Sequence, residues 1–310
     1  TSYEEGKSVF GEDASGVYGM SALLKVLFQN GAGAVKAVAV GEDSNGTVDY
    51  ASAFAALNEE EDVGIVVCDS AETSVHQSLK TSVENASAAR RERIAVVGGA
   101  EETVTQMTDH AKAINSERVV LVGPDVTLDS GAEASAVLAA AAVAGVIAGG
   151  GDASVPINGA ELAGINGVSK RLNDNEIDQL VRGGVTPIET VGGVSSPVRG
   201  ITTKTSSGGA ADTTWRELTT ILIVDEVIPT IRNALRTRFA RSKNTAQSRG
   251  AIRSQVVLEL EEMKTREIVD SYGEVKVSAL KSDPTVCLVE FSFTVAHGLN
   301  RIYLTAHITV

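Results

Sequence analysis

Arg93-Ile94-Ala95-Val96-Val97-Gly98-Gly99 and, further along, Val119-Val120-Leu121-Val122-Gly123-Pro124 are the stretches whose reading decides the fold. Within them Ile94–Val97 and Val119–Val122 are short, unbroken apolar runs rich in β-branched residues, each followed by glycine. A strand with water on one side alternates apolar and polar residues, so an unbroken run marks a strand buried on both faces. Similar runs at residues 35–40 and 63–68 extend the pattern. Polar, alanine-rich segments of helical character separate them, among them 71–88 and 101–115. Strands alternating with helices predict a mainly parallel α/β sheet covered on both sides. No internal repeat of fixed period is present.

Composition bounds the rest. A chain of 310 residues exceeds what one hydrophobic core usually serves, so two domains are expected. A hydrophobic content of 43% excludes a disordered protein. Aromatic residues make up only 4% and the formal charge is −13, which argues against both base stacking and contact with a phosphate backbone. Nucleic acid is therefore excluded as a partner. The most apolar stretch, 134–148, is shorter than the roughly 20 residues a bilayer demands and ends at Gly149-Gly150-Gly151. It predicts a buried helix, and no membrane insertion is expected. Cys68 and Cys287 lie far apart in apolar, strand-like runs and are expected to be buried free thiols, as suits a reducing cytoplasm. The sequence shows no signal peptide and starts at Thr1 without a Met, so a preceding segment is expected.

Charge divides the chain. Residues 1–150 hold 22 acidic and 9 basic residues, whereas 151–310 hold 18 of each. The glycine run and Pro156 supply linker chemistry at that point. The expected division is an acidic α/β domain over 1–150 and an α+β domain over 151–310, each facing different neighbours. In the second half, 173–182 predicts a helix capped by Asn173 or Asp174 and stopped by Gly183-Gly184. A second helical pattern begins near Thr213 and runs to Phe239, with Pro229 expected to kink or interrupt it. A third carries Ile252, Val256, Leu260 and Met263 at spacings of three and four. The period then changes to two: Val289, Phe291, Phe293 and Val295 alternate with polar residues, as do Ile302, Leu304, Ala306, Ile308 and Val310. Two half-buried antiparallel strands joined by a tight turn at 297–300 are predicted, with Asp283-Pro284 turning the chain into the first.

A parallel sheet invites a search for a nucleotide site beyond the strand ends. Gly98-Gly99 and Gly123-Pro124 follow strands, yet neither extends to G-x-G-x-x-G. Gly6-Lys7-Ser8 matches the tail of a P-loop, but Thr1 stands where the first glycine belongs and no strand precedes it. His76, His110, His297 and His307 show no metal-ligand spacing, and the first two are expected on helix surfaces. G-x-S-x-G is absent, and the acidic run Glu59-Glu60-Glu61-Asp62 lacks EF-hand spacing. A nucleotide-binding α/β enzyme is the alternative reading, with a scaffold but no chemistry on it.

Two features point instead to association. A strand running to Val310 with a complete apolar face should not stand as an open edge. It pairs either within its own hairpin or across subunits, with Ile302, Tyr303, Leu304, Ala306, Ile308 and Val310 as candidates. From 227 to 258 there is no acidic residue, while Arg232, Arg236, Arg238, Arg241, Lys243, Arg249 and Arg253 are basic. This is either a solvated helix end favoured by the macrodipole or an electrostatic contact surface.

Several segments in order resemble the contractile tail-sheath family of myophages and phage-like bacteriocin particles. They are Gly16-Val17-Tyr18-Gly19 with Phe28-Gln29-Asn30-Gly31, then Gly123-Pro124-Asp125 and Val155-Pro156-Ile157-Asn158-Gly159. Leu172-Asn173-Asp174-Asn175-Glu176-Ile177, Gly184-Val185-Thr186-Pro187-Ile188, Val198-Arg199-Gly200-Ile201-Thr202-Thr203 and Trp215-Arg216-Glu217-Leu218 follow. Each motif alone is weak; their order carries the likeness, which spans nearly the whole chain. The resemblance implies a non-enzymatic subunit without cofactor, found in the virion tail and assembled in the host cytoplasm. It implies stacked rings around an inner tail tube protein, bounded by baseplate and tail terminator. Terminal arms would add strands to neighbouring subunits, and contraction would drive the tube through an envelope. It further implies that the acidic domain decorates the outside and that the basic residues meet the tube or a neighbour.

Overall fold

A computed structural model of the chain describes residues 1–14, 18–42, 48–100 and 103–300. The chain divides into two compact units, Thr1–Gly151 with Pro156–Leu218, and Asp152–Val155 with Thr219–Val310.

The first unit opens with α1 (Tyr3–Phe10), α2 (Met20–Gln29) and α3 (Tyr50–Asn58). It then alternates β1 (Ile65–Val66), α4 (Thr73–Ala88), β2 (Ile94–Gly98), α5 (Val104–Ile114) and β3 (Val119–Gly123). Next come β4 (Val126–Leu128), β5 (Glu133–Ala134), α6 (Ala136–Gly149), β6 (Ile165–Val168), α7 (Asp174–Arg182), β7 (Val185–Val191) and β8 (Val194–Pro197). The main sheet has the order β1-β2-β3-β7-β8, parallel through β7 and antiparallel at β8. Every residue of β2 and β3 is buried, as their unbroken apolar runs require. Ala95, Val97, Val119 and Leu121 pack with Leu79 and Val83 of α4 and with Met107, Ala111 and Ile114 of α5. The other face is covered by α6, buried from Ala136 to Gly145 and backed by α2. Gly98 has no room for a side chain, because a Cβ there would lie 2.1 Å from the Ala136 carbonyl carbon. Arg93, which opens the deciding stretch, is buried and donates to the Leu57 and Glu60 carbonyls at 3.0 and 2.9 Å, fastening the end of α3.

The boundary expected at residue 150 is thus moved. β7 pairs with β3, Leu121 opposite Val185, so residues 156–218 belong to the first unit. Local composition marked the glycine run, but a long-range strand pairing decides membership. The charge contrast sharpens with the correction. The first unit holds 29 acidic and 15 basic residues, net −14, and the second 11 and 12, net +1. The unit ends with the small ribbon β9 (Ser206–Ser207) and β10 (Ala210–Ala211). The run 35–40, expected as a strand, forms no strand and pairs with none among the described residues.

The second unit comprises α8 (Leu218–Phe239), α9 (Ala246–Thr265), β11 (Val269–Tyr272), β12 (Lys276–Ala279), β13 (Cys287–Glu290) and β14 (Phe293–Val295). Its helix begins at Leu218 rather than near Thr213, because residues 215–217 pair with the chain at 201–202 instead. It runs through Pro229 without interruption. The alternating run 289–295 is split between two partners, β12 for β13 and β11 for β14. Together they form one irregular antiparallel ribbon that turns at Asp283-Pro284, where the Asp283 carboxylate accepts from Thr285 N at 2.9 Å. One face of the ribbon, with Val277, Val289, Phe291, Phe293 and Val295, packs on Ile223, Val227 and Ile231 of α8 and Val256, Leu260 and Met263 of α9.

Candidate assembly surface

Among the described residues the ribbon presents two bare edges. Leu280 N donates to Val286 O at 3.0 Å, which sets the alternation of the antiparallel ladder. Ser278 with Leu288 and Lys276 with Glu290 are then the hydrogen-bonded pairs. Val277 and Ala279 on one strand, and Cys287 and Val289 on the other, direct their backbone N–H and C=O groups outward. Among the described residues no further strand lies on either side. Sequence reading missed β11 and β12, although Val275, Val277 and Ala279 alternate with Glu274, Lys276 and Ser278. The candidate strand residues Ile302, Tyr303, Leu304, Ala306, Ile308 and Val310 lie outside the described residues.

The basic candidates are brought together at the end of α8 and in the loop to α9. Arg232 is half-buried, while Arg236, Arg238, Arg241 and Lys243 are exposed. Arg238 donates to Gln255 on α9, and Arg249 donates to Asn244 Oδ1 at 2.9 Å. Asn244 in turn donates to the Pro284 carbonyl at 2.7 Å, tying the basic loop to the ribbon turn. Among the described residues, no carboxylate pairs with Arg236, Arg241 or Lys243. Their charge stays available at a helix C-terminus, where the macrodipole favours it.

The strand ends that would hold a nucleotide are occupied by the chain itself. α6 starts directly over Gly98, and the Asp125 carboxylate, just past Gly123-Pro124, accepts from Ala136 N at 2.8 Å. Lys7 and Ser8 lie within α1. His76 and His110 are buried, not on helix surfaces as expected. His76 Nε2 donates to the Ser70 carbonyl at 2.8 Å, and its Nδ1 lies 2.9 Å from His110 Nε2. Both point inward because α4 and α5 pack against each other, a contact invisible in either helix alone. Among the described residues, no group of three or more His, Cys, Asp or Glu could hold a metal ion, and no helix is long and apolar enough to cross a membrane.

The ordered motifs prove to be pins. Asn30 accepts from Ala163 N and donates to Ala163 O, both at 2.9 Å, across 133 residues of sequence. Asn158 accepts from Gly200 N at 3.1 Å, and Asn173 completes a capping box with Glu176. Thr202 donates to the Trp215 carbonyl at 2.6 Å, and Arg199 pairs with Glu217, so residues 198–203 and 215–218 lock the approach to α8. Gly16 and Val17 lie outside the described residues.

Comparison with known proteins accords with these contacts. The model of the phage tail sheath protein central domain matches residues 43–203, and that of the phage tail sheath C-terminal domain matches residues 210–309. The tail sheath protein of Bacillus phage SP01 is 27% identical over 253 residues, covering 79% of this chain and 43% of the relative, so this chain spans less than half its length. Among solved structures, the contracted helical sheath of the anti-feeding prophage superposes with a TM-score of 0.71 at 15% identity, over 99% of this chain and 86% of that one. The sheath tail protein of Desulfitobacterium hafniense gives 0.65 at 16% identity, over 86% and 65%. At those identities the structures speak for the fold, a mixed α/β unit followed by an antiparallel one. The two domain matches carry the assignment: this chain belongs to the phage tail sheath family.

Proposed function

We propose that this chain is a structural subunit of a contractile tail sheath and not an enzyme. Subunits polymerise as stacked rings around an inner tube, between baseplate and terminator, and shorten to drive the tube through a target envelope. The observation that carries this reading, beside the family, is the two-stranded ribbon with outward backbone groups on both edges. Such an edge is a template for an added strand, in which main-chain bonds supply affinity and alternating side chains supply register. Residues 301–310 of one copy add to the ribbon of a neighbour, with Ile302, Leu304, Ala306, Ile308 and Val310 on the apolar side. The exposed Arg236, Arg241 and Lys243 meet an acidic tube or neighbour, and the acidic first unit faces outward. The assembled particle is the virion tail, built in the host cytoplasm.

Deleting residues 304–310 tests the strand contact. The expected product is soluble and keeps its circular dichroism but forms no tubes or ring stacks by electron microscopy. Normal sheaths from the deleted chain would refute the contact. Reversing charge with R236E and R241E should weaken tube co-sedimentation most at low salt, where screening is least.

A further inference from the structure

The parallel sheet grows by a repeated step. β1 leads through α4 to β2, and β2 through α5 to β3, each strand laid beside the last. One step earlier, residues 35–40 lead through α3 to β1. The same rule places Val35-Lys36-Ala37-Val38-Ala39-Val40 beside β1, at the edge of the sheet. In the structure this segment forms no helix or strand, and among the described residues no backbone group from 34 to 40 makes a hydrogen bond.

β1 carries the matching vacancy. Gly64 O accepts from Ile94 N at 3.0 Å, so Gly64 and Val66 turn their backbone groups toward β2. By the alternation of a strand, Ile65 and Val67 turn theirs away, and those groups find no partner among the described residues. A groove of about 550 Å³ is lined by Ala34 and Val35 together with Ile65, Val67, Leu27 and Ala144. Lys36 Nζ, 2.6 Å from a Glu60 carboxylate oxygen, already tethers the segment beside the end of α3.

We propose that residues 35–40 are a strap that closes on β1 as the sixth strand of the sheet, parallel to it. Closing fills the apolar groove, satisfies the outward groups of Ile65 and Val67, and removes an open edge that would otherwise recruit a foreign strand. The open and closed forms differ only at this edge, since β2 and β3 are paired on both sides in either.

Hydrogen exchange on the whole chain tests the strap. Amides of 35–40 should exchange at least about tenfold more slowly than an unpaired segment would. Exchange there at unstructured rates would overturn the proposal without any variant. The neighbouring substitutions Ala37→Pro and Val38→Pro supply a second test, because adjacent strand residues aim their N–H groups in opposite directions. One of the two should release protection across 35–40 and 63–68, the other much less, with β2 and β3 unchanged as the control for folding. Equal effects from the pair, or none on 63–68, would count against a paired strand.

Discussion

The first unit's sheet and the second unit's ribbon solve the same problem in opposite ways. Every strand must place its backbone hydrogen bonds somewhere. In the first unit, β2 and β3 lie between other strands and between helices, and all ten of their residues are buried. In the second, the ribbon has helices on one face, two edges without a further strand among the described residues, and an outer face that exposes Lys276, Ser278, Leu288 and Glu290. The first arrangement makes a stable body. The second leaves both ribbon edges without a further strand among the described residues. Charge follows the same line, with −14 on the first unit and +1 on the second.

The contrast breaks most sharply in the closed sheet. Leu121 is 1% exposed and packs in the α4–α5 core, so Leu121→Ala should cost about 2–5 kcal/mol. Denaturant unfolding would measure it. A cost below 1 kcal/mol would mean that the core collapses around the gap and is not close-packed.

Next in size is a paired test in β12. Ser278 bonds across to Leu288, so Ser278→Pro removes a ladder bond and should cost about 3 kcal/mol. Ala279, one residue on, points its N–H outward, so Ala279→Pro should cost less than about 1 kcal/mol and still abolish polymerisation. Stability is read from thermal unfolding and polymerisation from electron microscopy. If both variants lose equal stability, the outward edge has been misplaced. If Ala279→Pro polymerises normally, that edge receives no strand.

How much of this was legible before the structure depended on range. Unbroken runs announced β2 and β3 because burial on both faces leaves no polar residue to interrupt them. Asn173 or Asp174 announced the start of α7 because capping chemistry is local, and the structure selects Asn173, with Glu176 closing the box. Long-range pairing was invisible: nothing near Val185 says that its strand inserts beside β3, so the division fell at the glycine run. His76 and His110 were misjudged for the same reason, since each helix alone shows a polar residue and only their packing shows a buried pair. Of the candidate surface, the basic run was plain from charge alone. The ribbon was half seen, because Phe291 and Phe293 are conspicuous while Val275, Val277 and Ala279 are modest.

A smaller effect sharpens the helix that flanks the closed sheet. Asn173 Oδ1 accepts from Asn175 N and Glu176 N, both at 3.0 Å. Asn173→Ala should cost about 1 kcal/mol in thermal unfolding, with Asn173→Asp recovering most of it. A loss confined to α7 in hydrogen exchange would mark a local cap, whereas a loss shared with β7 would mark a cooperative unit.

The two cysteines report on the comparison directly, one in each region, at no expected cost in stability. Cys68 follows β1 in the closed unit, and burial pushes its thiol up to about 12. Cys287 is half-buried on β13, where its backbone faces the open edge. At pH 8 iodoacetamide should modify the half-buried Cys287 and spare the buried Cys68, whose raised pKa withholds its thiolate, until the chain unfolds. The sign follows for stability as well. A thiol raised in the folded state stabilises it fully below the unfolded value near 8.5, and that contribution is lost as pH rises from there toward 12. Cys68→Ala should therefore flatten the alkaline decline in unfolding midpoint. If a neighbour's strand adds along β13 in assembled particles, the Cys287 reaction should slow there as well. Equal labelling of Cys287 in free and assembled chains would mean that the β13 edge stays bare in the sheath and that only the β12 edge receives a neighbour's strand.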